Sequence, residues 1–395
     1  MTTVSRSNRY HIAIFGRRNA GKSSLVNCIA GQAVSIVSDV AGTTTDTVWK
    51  NIELPGVGAA VIADTAGFDD AGELGSMRVD AARKVLARAD VAILLLGEYD
   101  GNAALEKEWL LKMQEQQLPV IVIAGKCDKA GADEYAATWQ VALGCDVQPF
   151  SAVTGEGSDA LLERIAACYR QDDNLDDITH SLVKPGDMVV LVMPQDASAP
   201  KGRIIQPQVQ TLRNLLDKHC IPLCCAPEEL PRLLQSLVAP PQLVITDSQV
   251  FAQVEKLIPH GTALTSFSVL MARHKGDINA FLCGAEALLA LPPTARVLIA
   301  EACSHIPQNE DIGRVKLPRL LRSKLGEELK IDIVGGNDFP DDLSAYDMVI
   351  HCGACMFNRR TVLSRVRQAK AQGIPITNYG IAIAALNGIL ERVVI

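Results

Sequence analysis

The sequence has few aromatic residues, no long apolar run and no surplus of positive charge. Aromatic side chains make up 4% of it, and 38 Lys and Arg stand against 45 Asp and Glu, a net charge of −7 that gives no electrostatic footprint for nucleic acid. The longest apolar runs, such as residues 91–96 and 120–124, are far shorter than the roughly 18 residues that span a bilayer. Residues 1–10 are polar and lack the apolar core of a signal peptide. We therefore expect a cytoplasmic protein that binds neither nucleic acid nor a membrane.

Cysteine, by contrast, is plentiful, with 11 residues in the chain. A cytoplasmic protein keeps its thiols mostly reduced, so disulfides are not expected. Most of these cysteines are scattered or flank an apolar segment, and we interpret them as small buried or structural residues. They are Cys28, Cys127, Cys145, Cys168, Cys220, Cys224, Cys225 and Cys283.

Residues 16–23 read Gly-Arg-Arg-Asn-Ala-Gly-Lys-Ser, a complete Gly-x-x-x-x-Gly-Lys-Ser phosphate loop. An apolar stretch at 11–15 precedes the loop and a helical pattern at 24–30 follows it, which is the context that the motif requires. The backbone N–H groups of such a loop surround nucleotide phosphates, while Lys22 meets the β- and γ-phosphates and Ser23 binds Mg²⁺. The predicted phosphate-binding residues are Asn19, Ala20, Gly21, Lys22, Ser23 and Ser24.

Two motifs further along the chain supply what a phosphate loop lacks for hydrolysis. Thr44, in the segment Gly-Thr-Thr-Thr-Asp, is positioned in the sequence as a switch threonine for Mg²⁺. The segment Asp-Thr-Ala-Gly at 64–67 offers Asp64 as a carboxylate near the metal and the N–H of Gly67 for the γ-phosphate. These motifs stand in the order that a GTPase requires.

Two later motifs predict that the base is guanine. Residues 125–128 read Gly-Lys-Cys-Asp after an apolar strand. The carboxylate of Asp128 can accept the N1 and N2 hydrogens of guanine, which adenine cannot present. The base site also includes Lys126, with Ser151 and Ala152 at the end of a later strand. The sequence therefore predicts a GTPase that uses GTP and Mg²⁺.

These motifs resemble those of the small GTPases of tRNA modification and ribosome assembly. In relatives with asparagine at the position of Asn19, that side chain binds a potassium ion (K⁺) against the phosphates. Phe68 stands where other GTPases have the glutamine that orients the attacking water. The resemblance thus implies slow hydrolysis that uses potassium or a nearby carboxylate such as Asp70. Gly125 stands where relatives carry asparagine, which predicts weaker binding of the base.

A second constellation lies near the end of the chain. Cys303-Ser304-His305 and His351-Cys352-Gly353-Ala354-Cys355 each follow a short apolar run typical of a buried parallel strand. Because ligands bind beyond the carboxyl ends of such strands, the two groups predict a metal site. Its spacing leaves tetrahedral zinc and an iron–sulfur cluster open. The candidate ligands are Cys303, Cys352, Cys355, His305 and His351.

Strand and helix patterns alternate along the whole chain of 395 residues and predict an α/β fold. We expect a P-loop GTPase domain at residues 1–171, then a small α/β dimerisation domain at 181–267. A doubly wound α/β domain that carries the metal cluster is expected at 268–395. The middle segment has no motif with chemistry, which favours a role in assembly.

The order of a GTPase domain, a middle α/β domain, Cys-x-His and a distant His-Cys-x-x-Cys resembles the HydF family of [FeFe]-hydrogenase maturation GTPases. The resemblance implies that Cys303, Cys352 and Cys355 hold a [4Fe–4S] cluster, with His305, His351 or an exchangeable group in the fourth position. It also implies a dimeric scaffold that takes a transient di-iron subcluster precursor from radical-SAM maturases and passes it to apo-[FeFe]-hydrogenase. The alternative is a zinc-binding or thiol-redox-regulated GTPase acting in ribosome or tRNA maturation.

Overall fold

The computed structural model describes residues 9–32, 36–40, 48–69, 73–129, 132–170, 177–195, 204–302, 311–336 and 338–395. The chain divides into two compact units, Met1–Asp173 and Asn174–Ile395. Among the described residues, no helix is both long and apolar enough to cross a membrane.

The first unit is built on a seven-stranded sheet with the order β2-β3-β4-β1-β5-β6-β7. Its strands are β1 (Tyr10–Phe15), β2 (Ile36–Val40), β3 (Val48–Leu54), β4 (Gly58–Asp64), β5 (Val91–Leu96), β6 (Val120–Ala124) and β7 (Gln148–Pro149). Its helices are α1 (Lys22–Gln32), α2 (Glu73–Leu86), α3 (Ala104–Glu115), α4 (Ala132–Leu143) and α5 (Ser158–Arg170). The central strands β1 and β5 are buried throughout, as their unbroken apolar sequences predict. They pair in parallel, so their carboxyl ends meet at one edge.

The second unit contains two four-stranded parallel sheets. The first sheet consists of β8 (Met188–Val192), β9 (Ile221–Cys225), β10 (Leu243–Thr246) and β11 (Ala263–Ser266). The second consists of β12 (Arg296–Ala300), β13 (Lys330–Val334), β14 (Met348–His351) and β15 (Ile376–Asn378). The helices are α6 (Gln206–Asp217), α7 (Leu230–Ser236), α8 (Phe251–Glu255), α9 (Phe267–Lys275), α10 (Ile278–Leu289), α11 (Leu317–Leu325), α12 (Arg359–Ala371) and α13 (Tyr379–Leu386).

Both sheets of this unit are wound in the same order. Their strand orders are β11-β10-β8-β9 and β13-β12-β14-β15. In each sheet, the strand that comes first in the chain lies in the interior, between the strands that come second and third. The winding therefore reverses between β8 and β10, and again between β12 and β14. In open parallel sheets, ligands bind beyond the carboxyl ends of the strands at such a reversal.

The two sheets share one hydrophobic core. Val190 and Val244 of the first sheet belong to the same buried cluster as Val349 and Ile376 of the second. The start of α13 also packs on α9, which directly follows β11 of the first sheet, and there the Gly380 N–H donates to Ser268 Oγ at 3.1 Å. The segments 181–267 and 268–395 are thus packed together by their apolar side chains.

The predicted α/β fold is confirmed, and capping side chains set the ends of its helices. Helix α11 is preceded by a π-helical turn (Ile312–Lys316), whose first N–H groups are capped by the Asp311 carboxylate. Helix α13 begins at Tyr379 because the Asn378 side chain caps its start, and Gly388, with φ of 70°, follows its end.

Candidate functional site

The phosphate loop connects the carboxyl end of β1 to the start of α1. Lys22 is only 8% exposed, and its Nζ donates to the carbonyl oxygens of Gly16 and Arg17 at 3.0 and 2.8 Å. These bonds hold the ammonium across the loop, where a phosphate group would meet it. The loop borders a cavity of about 550 Å³, within the range of small-molecule sites. It is lined by Arg18, Asn19, Gly21, Lys22, Ser23, Ser24, Asp64, Thr65, Ala66, Gly67 and Lys126.

The predicted magnesium ligands of the first unit lie side by side. Ser23 Oγ donates a hydrogen bond to Asp64 Oδ2 at 2.7 Å. Hydroxyl and carboxylate oxygens are the ligands that Mg²⁺ prefers, and they would stand beside the phosphates in this cavity. Thr44, the predicted switch threonine, lies outside the described residues.

The segment after β4 packs directly on the phosphate loop. A Cβ added to Gly67 would lie 2.6 Å from the backbone nitrogen of Arg18, so only glycine fits this approach. The Arg18 N–H donates to Asp69 Oδ1 at 2.6 Å. Sequence reasoning missed Asp69, because position 69 has no motif signal. Asp70, the carboxylate chosen from the sequence, lies outside the described residues, so its role stays a prediction.

Phe68 points away from the phosphates. Its ring is 4% exposed and stacks on Trp109, with 5.2 Å between ring centroids and 17° between ring planes. This side chain therefore belongs to the core of the first unit and cannot orient an attacking water. The position at which many GTPases carry a catalytic glutamine has a packing role here.

The predicted guanine site is held together by side chain to side chain contact. Ser151 Oγ donates to Asp128 Oδ1 at 2.8 Å, and the N–H groups of Val153 and Thr154 donate to the same hydroxyl at 3.3 and 3.2 Å. Ser151 is fully buried, so its hydroxyl fixes the Asp128 carboxylate that is predicted to bind the base. Ala152 follows Ser151 directly in the connecting turn.

Gly125 lies beside the phosphate loop and has no side chain with which to contact it. A Cβ added there would lie 2.9 Å from Leu95 Cδ1 and 3.4 Å from the carbonyl oxygen of Ala20. An asparagine at this position would therefore direct its amide toward the loop. The glycine leaves that bracing contact unmade, and weaker binding of the base stays a prediction.

Arg17 joins the phosphate loop to α3, a contact that sequence reasoning missed. Its Nε and Nη2 donate to the Glu106 carboxylate at 2.5 and 2.9 Å, and its Nη1 donates to Asp100 Oδ2 at 2.8 Å. Glu106 is only 2% exposed, and this hydrogen bond is the main cause that raises the pKa of Arg17 above its usual range. A bidentate pair of this kind fixes the loop against the helix.

The cysteine loop (residues 352–355) follows the carboxyl end of β14, at the point where the winding of the second sheet reverses. Cys352 Sγ accepts hydrogen bonds from the N–H groups of Ala302 and Ala354 at 3.0 and 3.4 Å. Such N–H donors are typical of cysteine sulfur atoms that bind iron or zinc. Ala302 follows β12 and immediately precedes Cys303. Cys355 completes the Cys-x-x-Cys pair on the same loop.

The remaining predicted ligands, Cys303 and His305, lie outside the described residues. Within the described part of the chain, no group of three or more Cys, His, Asp or Glu side chains is arranged for a metal ion. Burial raises the pKa of the Cys352 thiol to about 11, so this cysteine is a neutral thiol until a metal displaces its proton. The two described cysteines nevertheless fit a cluster by their position and their donors.

His351 is buried, and both of its ring nitrogens are engaged. Arg365 Nη1 lies 3.0 Å from Nε2, and the Cys352 carbonyl oxygen lies 2.8 Å from Nδ1. Because arginine can only donate, Nε2 is the acceptor and Nδ1–H the donor. Burial and the Arg365 charge lower the pKa of His351 to about 3, so the ring is neutral. In this arrangement His351 orients the cysteine loop, and neither nitrogen is open to a metal.

Lys275 lies beneath the cysteine loop and was also missed from the sequence. It is 4% exposed, and its Nζ donates to the carbonyl oxygens of Ala354 and Phe357 at 3.2 and 2.9 Å. Burial lowers the pKa of Lys275 to about 8, and the nearby Cys355 and Cys352 thiols oppose that shift. No local pattern marks this lysine, because it precedes the loop by about 80 residues and reaches it only through packing of α9.

The first unit, with its phosphate loop, Ser23–Asp64 pair and Asp128–Ser151 pair, defines a P-loop GTPase. Residues 11–126 match the family model of the 50S ribosome-binding GTPase. The chain is 36% identical over 159 residues to GTPase Der of Synechococcus sp. (strain JA-3-3Ab), covering 39% of this chain and 34% of that protein. It is 38% identical over 159 residues to the tRNA modification GTPase MnmE of Halorhodospira halophila, covering 40% and 34%. The chain thus spans about a third of the length of these relatives.

The rest of the chain gives the particular family. Residues 178–276 match the hydrogen maturase F dimerization domain, and residues 279–395 match the hydrogen maturase F tetramerization domain. The chain therefore belongs to the hydrogen maturase F family of GTPases. Among solved structures, the G domain of the T. maritima FeoB iron transporter is 25% identical with a TM-score of 0.32, covering 40% of this chain and 98% of that chain.

Proposed function

We propose that this GTPase is a scaffold that holds a [4Fe–4S] cluster on Cys303, Cys352 and Cys355. The observation that supports it most strongly is the pairing of β12 with β14, because β12 leads to Cys303 and β14 leads to the Cys352–Cys355 loop. When bound, the cluster would supply an iron site that can exchange ligands. On this scaffold a di-iron subcluster precursor, received from radical-SAM maturases, is assembled and delivered to apo-[FeFe]-hydrogenase as cargo.

The fourth ligand of the cluster is proposed to be exchangeable. Four thiolates would close the site, whereas three leave one iron open to cargo or to a weaker ligand. Since the His351 ring is occupied by Arg365 and by the Cys352 carbonyl, His305 is the better candidate of the two histidines. The chain is further proposed to form a homodimer through the region that matches the dimerization domain.

Cysteine substitutions test this proposal. After anaerobic reconstitution with iron and sulfide, the wild-type protein should absorb broadly at about 400 nm, as iron–sulfur charge transfer does. Cys303→Ala, Cys352→Ala and Cys355→Ala should each lose this band and most of the bound iron. Iron content per chain and the electron paramagnetic resonance (EPR) spectrum of the reduced protein give the measurement.

The matched control is Cys283→Ala, which removes an exposed cysteine of α10 that belongs to neither cysteine motif. It should retain the band and the iron of the wild-type protein. Full iron in the Cys303, Cys352 or Cys355 variant, or loss of iron in the control, would contradict the three-cysteine site. Stoichiometric zinc without a band at about 400 nm would favour the zinc-binding alternative.

Potassium is proposed to assist hydrolysis at Asn19. This residue is exposed at the cavity that holds the phosphate loop, and the first unit has Phe68 in place of a catalytic glutamine. A monovalent cation there would stabilise charge that develops on the phosphates. GTP turnover should therefore be severalfold faster in potassium than in sodium at equal ionic strength. Asn19→Ala should remove that difference, whereas equal wild-type rates in the two salts would refute the role of potassium.

A further inference from the structure

Lys275 carries a buried ammonium group whose hydrogen-bond acceptors are neutral carbonyl oxygens. It ends α9, and its two carbonyl acceptors, Ala354 and Phe357, lie on either side of Cys355. Within the described residues, the structure shows no carboxylate that pairs with this ammonium. Its position is therefore set by the backbone of the cysteine loop.

Such an arrangement is unfavourable in the empty protein. Transfer of a lysine charge into the interior costs several kcal/mol, and hydrogen bonds to neutral carbonyls recover only part of that penalty. Without a cluster, the loop offers Lys275 the two backbone carbonyl oxygens of Ala354 and Phe357, which carry only partial charge.

Binding of a cluster changes the charge around Lys275 from unfavourable to favourable. A metal-bound cysteine is a thiolate, and a [4Fe–4S] cluster with three thiolates carries net negative charge that increases when an electron is added. Lys275 would then lie beside an anion inside the protein, where charge pairs interact more strongly than in water. The Arg365 side chain contributes a further cation to the same loop, but it is engaged by His351 and by the carbonyl of Gly336.

We propose that Lys275 is the counter-charge of the cluster. It favours the loaded protein over the empty one, and it favours the reduced cluster over the oxidised one. This inference rests on the proposed cluster site. It assigns control of the cluster's reduction potential to a residue that is not one of the cluster's ligands.

Lys275→Gln tests the inference, because glutamine can still donate to the loop carbonyls but carries no charge. Lys370→Gln is the control, since it removes the same charge from an exposed lysine that pairs with Asp277. The melting temperature of each protein is measured without a cluster and again after anaerobic reconstitution. The reduction potential of the cluster is measured by EPR-monitored titration. In Lys275→Gln the empty protein should melt no lower than wild type, and loading should raise the melting temperature less. Its cluster should be reduced about tenfold less readily, a decrease of about 59 mV for one electron.

Several outcomes would overturn the proposal. One is a Lys275→Gln protein that loses stability equally in both states with an unchanged potential, because that is the behaviour of a purely structural lysine. Another is an empty variant that fails to fold, both as Lys275→Gln and as Lys275→Met, because the empty protein should not need the charge. Failure of the wild-type protein to bind any cluster is a different result, since it would refute the proposed cluster site itself. The control should match wild type in both potential and loading.

Discussion

Replacing Lys22 by alanine should lower the rate of GTP hydrolysis by roughly a hundredfold or more, because it removes a charge aimed at the transferred phosphate. Lys22 lies at the start of α1 and is held across the phosphate loop by the carbonyls of Gly16 and Arg17. The variant should nevertheless take up as much iron as wild type, since the cysteine loop belongs to the other compact unit. Phosphate release and iron content, measured on the same preparation, separate the two effects.

Lys107→Ala is the control for that experiment. Lys107 is an exposed lysine on α3 in the same unit, so its loss changes the net charge equally without touching the cavity. Its hydrolysis rate should stay within about twofold of wild type, as expected for a surface change. A Lys22→Ala protein that kept its rate would exclude this loop as the catalytic site. One that lost its iron would show that the two units depend on each other structurally.

Gly284→Ala should lower the free energy of unfolding of the second unit by about 2 kcal/mol or more. A Cβ at this position of α10 would lie 2.0 Å from the carbonyl oxygen of Ile376 in β15. Helix and strand would have to separate, and overpacking of this kind costs about 1–3 kcal/mol or more. The gain in helix propensity, about 1 kcal/mol, offsets only part of that cost. Denaturant unfolding followed by circular dichroism measures the difference.

Gly31→Ala gives the opposite expectation for the same chemical change. Gly31 lies near the end of α1, and a Cβ added there would meet no atom within 4 Å. Alanine should therefore be neutral or stabilise the first unit by up to about 1 kcal/mol. If both substitutions had the same effect, close helix–strand contact would not explain the need for glycine at position 284.

Much of the nucleotide site was predictable from the sequence because its motifs are local. The phosphate loop requires a strand before it and a helix after it, and both are readable within residues 10–32. Asp64 and Asp128 are likewise recognisable, because Asp64 ends β4 and Asp128 lies four residues after the end of β6. The carboxyl ends of such strands meet at one edge, so order along the chain is enough to bring these side chains together.

The residues that support the two sites were not predictable. Arg17 reaches Glu106 across 89 positions, and Lys275 reaches the carbonyl of Ala354 across 79. Neither residue has a periodicity or spacing that identifies its partner. The engagement of His351 by Arg365 was hidden for the same reason, although both residues were visible in the sequence. Contacts of this kind arise from how helices pack on a sheet, which local patterns do not encode.

The shared core of the second unit couples the stability of one of its sheets to that of the other. Val190 and Val349 lie in one apolar cluster, and the Val394 N–H donates to the Leu264 carbonyl at 2.8 Å, so the chain terminus closes on the first sheet. Regions joined in this way open cooperatively rather than one at a time. A ligand that binds only the closed form at the β12–β14 edge therefore suppresses opening of both sheets. Through this thermodynamic linkage, we expect the first sheet to open less often when the cysteine loop is occupied.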